Sequence, residues 1–153
     1  YPDEVLKELD VVVVAVHSGF GQSRDRMTGR ILDALDHPGV HILAHPTGRL
    51  LGARDPYEVD LERVLERAAE RGVAVEVNGS YQRLDIGDVA CRRALEMGCT
   101  ISVNSDAHSP ADLCQMRYAV AQARRGWVQR RHVLNCLTWP ELKRWLGGKK
   151  SGK

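Results

Sequence analysis

The sequence predicts an α/β fold: four β/α units whose strands run parallel in one sheet. Short apolar segments rich in valine, isoleucine and leucine recur roughly every 30 residues, each followed by a segment with apolar residues at helical spacing. Glycine or proline separates the segments, and no self-similarity of the kind that marks a solenoid accompanies the period. Strands alternating with helices in this way imply a parallel sheet with right-handed crossovers. Four units are too few for an eight-stranded barrel; they fit an open sheet or half of a barrel.

The elements follow in order. Pro2-Asp3-Glu4 with Val5, Leu6 and Leu9 reads as a short amphipathic helix. The abrupt start at Tyr1 suggests a piece of something longer. Val11 to Val16 is an unbroken β-branched run, the pattern of a strand buried on both faces. After His17-Ser18-Gly19-Phe20, Ser23 is a plausible N-cap for a helix with Met27, Ile31, Leu32 and Leu35 on one side, stopped by Pro38-Gly39. The second strand, Val40 to Ala44, ends in His45-Pro46 and leads into a long loop, Thr47 to Tyr57. A helix from Asp60 to Arg71 carries Leu61, Val64, Leu65 and Ala68 and stops at Gly72.

The third strand, Val73 to Val77, ends in Asn78-Gly79; a helix from about Asp88 to Met97 follows. The fourth, Thr100 to Val103, runs out into Ser105-Asp106-Ala107-His108. The next helix spans Pro110 to about Arg124, with Leu113, Met116, Val120 and Ala123 as its apolar face. Trp127 to Leu146 holds one or two short helices, with Thr138-Trp139-Pro140-Glu141 as a cap. Residues 1–146 thus form one domain, and 147–153 read as a flexible basic tail without structure.

A chain of 153 residues, 43% apolar and 27% charged, has the composition of a soluble domain able to bury a core. A net charge of +2 does not announce a nucleic-acid partner, although a local basic patch could still serve one. No apolar stretch is long enough to span a membrane, and no secretory leader precedes the fold in these residues. Cys91, Cys99, Cys114 and Cys136 lack zinc-finger or Cys-x-x-Cys spacing, so they read as small buried thiols of a reducing, cytoplasmic protein.

Each strand delivers a chemically useful side chain at its carboxyl end: His17, His45, Glu76 with Asn78, then Asp106 and His108. In a parallel sheet these ends share one edge, where α/β folds collect ligands. Histidines and an aspartate without a cysteine cluster favour an open hydrolytic metal site over a closed structural one. Glu76 reads as an orienting group or a buried partner for an arginine, and Asn78 as facing the mouth. Arg49, Arg54 and Arg83 lie in the loops beyond, with Gly48 and Gly52 allowing close backbone approach; an arginine fork suits phosphate oxygens. Each arginine alone could equally be a solvated surface residue. His37, His41 and His132 lie away from strand ends and read as structural.

Val16-His17-Ser18-Gly19-Phe20, Ala44-His45-Pro46-Thr47-Gly48-Arg49, Glu76-Val77-Asn78 and Ser105-Asp106-Ala107-His108 occur in order. Together they resemble the later motifs of the PHP (polymerase and histidinol phosphatase) phosphoesterase superfamily, most like the PHP domain of bacterial family X DNA polymerases. The resemblance covers about Tyr1 to Leu146. It implies the C-terminal half of a distorted (β/α)7 TIM-like barrel with up to three divalent metals, Mn2+ or Zn2+, at its mouth. His17 and His45 would ligate one metal, Asp106 a second and His108 a third.

The family's opening His-x-His motif, and the histidine and bridging glutamate after it, have no counterpart here. Those would supply the majority of the ligand set, so the chain alone should hold an incomplete centre, weak or inactive, and expose a cut sheet edge. The resemblance implies 3′-5′ exonuclease or 3′-phosphatase action on DNA 3′ ends within a repair polymerase. Its partners would be the polymerase domain and the N-terminal half of the PHP domain. Other readings are a non-catalytic DNA-positioning module, and a metallohydrolase of the histidinol-phosphatase or amidohydrolase kind.

Overall fold

The computed structural model describes residues 1–150. Four strands, β1 (Val13–Val14), β2 (Ile42–Leu43), β3 (Ala74–Asn78) and β4 (Ile101–Asn104), form one sheet in the order β1-β2-β3-β4. Every pair is parallel: Val13 lies beside Ile42, Ile42 beside Ala74, and Val75 beside Ile101. The helices are α1 (Asp3–Lys7), α2 (Arg24–Asp36), α3 (Leu61–Glu70), α4 (Asp88–Glu96), α5 (Met116–Arg125) and α6 (Trp139–Lys150). Sequential parallel pairing with a helix in each crossover is the architecture of a partial TIM-like barrel, as the strand-helix alternation predicts.

One face of the sheet packs on the crossover helices. Leu43, Val75, Val77, Ile101 and Val103 meet Met27, Ile31 and Leu35 of α2, Val64, Leu65 and Ala68 of α3, Cys91 and Ala94 of α4, and Ala119 and Ala123 of α5. The other face changes character along the strands. At its amino end Ile42 and Ala74 are covered by Leu134, Leu137, Leu142 and Trp145. Towards the carboxyl end, the alternation of strand side chains puts Glu76, Asn78, Ser102 and Asn104 on that face, with Glu76 paired in register with Ser102 and Asn78 with Asn104. A polar carboxyl-end rim is thus written into the period of two. Beyond β4, Val133 makes one parallel bridge to Ile101, and the Asn135 side chain imitates a strand by accepting from Val103 N at 2.8 Å and donating to Val103 O at 3.0 Å.

Four expectations need correction. The Val11–Val16 run is not buried on both faces: Val12 and Val16 are in the core, whereas Val11 and Val13 are 41% and 52% exposed. β1 is an edge strand, and among the described residues nothing covers its second face. The apolar face expected for residues 110–124 is also rotated. Pro110–Gln115 is a 3-10 helix, with fewer residues per turn than the α-helix after it, so the period breaks at Met116. Ala119 and Ala123 are buried while Leu113, Met116 and Val120 are exposed.

Third, Cys91 and Cys99 are buried, with burial pushing their thiols up to about 12 and about 11, but Cys114 and Cys136 are exposed because both lie in 3-10 turns at the surface. Fourth, α6 continues through Gly147–Lys150 instead of ending at Leu146; a helix anchored by Leu142 and Trp145 propagates at one hydrogen bond per added residue. The rest of the expected tail, residues 151–153, lies outside the described residues.

Candidate functional site

The rim residues are set by the strand ends and by two left-handed turns. His45 follows β2 at φ 31° and Asp106 follows β4 at φ 56°. Non-glycine residues adopt this region at a cost, and such strain concentrates where a side chain must be aimed. His45 is 4% exposed, and its ring meets the exposed ring of His17 edge-on, with centroids 5.1 Å apart and planes at 83°. Two residues separated by a full β/α unit are thereby brought together, as the period predicts. Burial, reinforced by the Arg83 and His17 charges against that of Asp106, pulls the His45 imidazole down to about 4. It is therefore neutral at physiological pH, the form that ligates metals. Its Nδ1 is buried without a hydrogen-bond partner.

Glu76 lies beneath this pair. Its Oε2 accepts from the backbone N–H of His45 at 2.7 Å and from Asn78 Nδ2 at 3.0 Å, and its Oε1 accepts from Asn104 Nδ2 at 2.8 Å. Burial pushes the carboxyl pKa up, and these three bonds oppose it. Asn78 does not open into the mouth as expected. It is fully buried between Glu76 and the backbone N–H of Ser80, which it accepts at 2.9 Å, because the residue lies on the polar face under the rim.

Asp106 is within electrostatic reach of His45, yet its Oδ2 accepts from Arg83 Nε at 3.1 Å. His108 is exposed and turns back on its own loop, its Nδ1 2.8 Å from the carbonyl oxygen of Asp106. Among the described residues, no three His, Cys, Asp or Glu side chains gather as a metal-binding group. The donors present fit a divalent metal in part. His17 and His45 are adjacent imidazoles, one with an unpartnered buried nitrogen, and Asp106 could join them only by releasing Arg83.

The arginines expected at phosphate are deployed differently. Arg49 donates through Nε to Arg83 O at 2.8 Å and through Nη2 to Leu84 O. Arg54 donates through Nε and Nη2 to Gly48 O at 3.0 and 2.6 Å and lies over the Phe20 ring at 3.9 Å. Phe20 stacks on Tyr57, whose hydroxyl donates to Pro46 O at 2.6 Å. Carbonyls turned out of the sheet in these loops need donors, and the guanidinium forks supply them. Both side chains are therefore braces between the loops after β1, β2 and β3. Only Arg83 points at the rim group.

Asp85 escaped the sequence reading. It is fully buried, and its Oδ2 accepts from the backbone N–H groups of Thr47 and Gly48, each at 3.0 Å. Burial pushes its carboxyl up to about 6 against those bonds. Gly48 stands at φ 63°, and a Cβ there would meet Tyr57 Cε1 at 2.4 Å, so only glycine lets this loop close over the ring. An aspartate in a polar loop gives no periodic signal; its only sequence cue is the glycine-bearing loop it clamps.

No family model matches the chain. Curated relatives do. The chain is 38% identical over 146 residues to the DNA polymerase/3′-5′ exonuclease PolX of Bacillus subtilis, covering 95% of this chain and 26% of that protein. It is 34% identical over 128 residues to a probable phosphatase of Caldanaerobacter subterraneus, covering 78% of this chain and 48% of the relative. A probable phosphatase of Thermoanaerobacter sp. is 31% identical over 143 residues, covering 88% and 56%. The chain thus spans between a quarter and just over half the length of these relatives.

Proposed function

This chain is a PHP-type segment like that of the bacterial family X DNA polymerases, and from that premise we propose that it contributes the later ligands of a metal-dependent phosphoesterase centre. The observation that supports this reading most is the meeting of the His17 and His45 rings at the carboxyl rim, with Asp106 beside them. His17, His45, Asp106 and His108 would be the ligands, Glu76 and Asn78 their support, and residues 1–146 the contributing domain. The substrate class is a phosphate ester, with a DNA 3′ end as the leading case. Mn2+ or Zn2+ would be the ion, and the partners would be the remainder of the PHP domain and a polymerase domain in a longer parent.

The chemistry a divalent ion supplies in such a site is an acidified water and neutralisation of charge developing on a phosphoryl oxygen. The chain's own residues do the positioning. His45 presents a neutral imidazole because burial disfavours its charged form. Glu76 holds the His45 backbone, and Asp85 holds the two residues beyond it. Arg83 offers a guanidinium at the rim for a phosphate oxygen, while Arg49 and Arg54 keep the loops in place. With part of the ligand set elsewhere, the isolated chain would hydrolyse weakly or not at all.

The test compares phosphate release from a 3′-phosphorylated oligonucleotide and nucleotide release from a 3′-hydroxyl one, with Mn2+, in a parent protein carrying this segment and in its His45→Ala variant. Loss of both activities with unchanged folding is the expected result; full activity in the variant would refute the reading. The probable phosphatases among the relatives favour one alternative, a small-molecule phosphomonoesterase. Faster turnover of a free phosphomonoester than of the oligonucleotide would select it.

A further inference from the structure

We propose that Arg83 and a divalent cation compete for the Asp106 carboxylate, and that a phosphate anion decides the competition by drawing Arg83 onto itself. This rests on the metal-site reading above and deepens it, making Arg83 the group that couples substrate anion to metal.

Arg83 Nε donates to Asp106 Oδ2 at 3.1 Å, with the two side chains 18% and 23% exposed. The pair is therefore largely withdrawn from water, where a charged group without a partner is costly. Asp106 is the only carboxylate expected as a ligand in this chain, and its contact is already a cation. A metal ion placed on the same oxygen would sit against the guanidinium, and two positive charges at that separation repel. Arg83 must swing away before Asp106 can ligate.

The structure limits how Arg83 can move. Its backbone N–H donates to Ser80 O at 2.8 Å, and its carbonyl accepts from Arg49 Nε at 2.8 Å. The turn is pinned at both ends, so only the side chain swings. The guanidinium also has unmet need: Arg83 Nη1 is buried and has no hydrogen-bond partner. An unpaired buried N–H is destabilising, and a phosphate oxygen would satisfy it while Nε and Nη2 engage a second oxygen as a fork. A carboxylate already held through Nε alone is the weaker partner for that fork. Phosphate therefore gains Arg83 as Asp106 loses it, and the freed carboxylate turns to the cation. Binding of the two ligands is then positively linked, and by reciprocity each tightens the other by the same factor.

The test titrates Mn2+ into the 153-residue chain and its Arg83→Gln variant, reading free Mn2+ by its electron paramagnetic resonance signal, with and without dilute inorganic phosphate. In the wild type phosphate should tighten Mn2+ by about tenfold, within the usual range of such coupling. Arg83→Gln should bind Mn2+ more tightly than wild type without phosphate and gain less than about threefold from it, on the order of the residual coupling expected once the fork is lost. If circular dichroism shows that the glutamine variant does not fold, Arg83→Lys replaces it; lacking the fork, it should lose the phosphate effect. Equal or weaker Mn2+ binding in Arg83→Gln, or an undiminished phosphate effect in either variant, overturns the proposal and leaves the metal site standing. No Mn2+ binding by any of the proteins overturns the proposal and the metal-site reading together.

Discussion

The backbone N–H of His45 donates to Glu76 Oε2 at 2.7 Å, across the β2–β3 boundary. A buried carboxylate thus holds the strained turn that aims the His45 ring, while leaving the ring itself free. Glu76→Gln keeps the size but replaces one of two accepting oxygens with a donor, and His45 N, Asn78 Nδ2 and Asn104 Nδ2 all need acceptors. We expect a loss of about 1–3 kcal/mol in urea unfolding, the cost of leaving a buried group unsatisfied. Mn2+ affinity should fall by about 10–100-fold, the usual effect of losing a group that orients a ligand. Unchanged urea midpoint and affinity would mean that the turn holds itself.

Asp85 gives the fold a pH signature. Its carboxyl is raised from 3.8 to about 6 by burial, so the folded state holds its proton to higher pH than the unfolded chain does. The stability from this group is fully present below about 3.8 and is lost as pH rises through about 6. Asp85→Asn keeps an acceptor for Thr47 N and Gly48 N and removes the titration. Wild-type stability relative to the variant should therefore drop by up to about 3 kcal/mol between about pH 4 and pH 7, because each tenfold difference in proton affinity between the folded and unfolded chain is worth roughly 1.4 kcal/mol. Urea melts across that range check it; a flat difference would show that Asp85 titrates normally.

The edge strand predicts self-association. Val11 and Val13 are 41% and 52% exposed on β1, whose outer side has no strand beside it among the described residues. Unpaired edges with apolar faces recruit other strands. Val13→Lys should lower the apparent mass in concentrated samples by sedimentation, with stability changed by no more than about 0.5 kcal/mol, as for most surface substitutions. A wild-type chain that stays monomeric at high concentration would contradict this.

Much of the fold could be read from the residues, because helical and strand periods are local signals. Asp60 caps α3 by accepting from Arg63 N, and Thr138 with Glu141 caps α6, both where the sequence places a helix start. The strand-end rule brought His17 and His45 together for the same reason: parallel register carries residues one unit apart to one rim. His37 and His41 take structural bonds, to Asp3 and from Val12 N, as their positions suggest.

What could not be read was the choice of partner. Arg49, Arg54 and Arg83 look alike in sequence, yet two brace carbonyls and one grips Asp106, a difference set by loop geometry. Asp85 is buried by the same geometry and leaves no pattern. The exposure of Val13 depends on what flanks β1, which a run of valines does not record.

The most direct measurement is anomalous diffraction from crystals of the chain soaked in Mn2+. The account predicts a peak at the carboxyl rim within about 2.0–2.3 Å of an imidazole nitrogen from each of His17 and His45, the span of metal–histidine bonds. Peaks confined to surface carboxylates, with the two rings unmoved and empty between them, would contradict it.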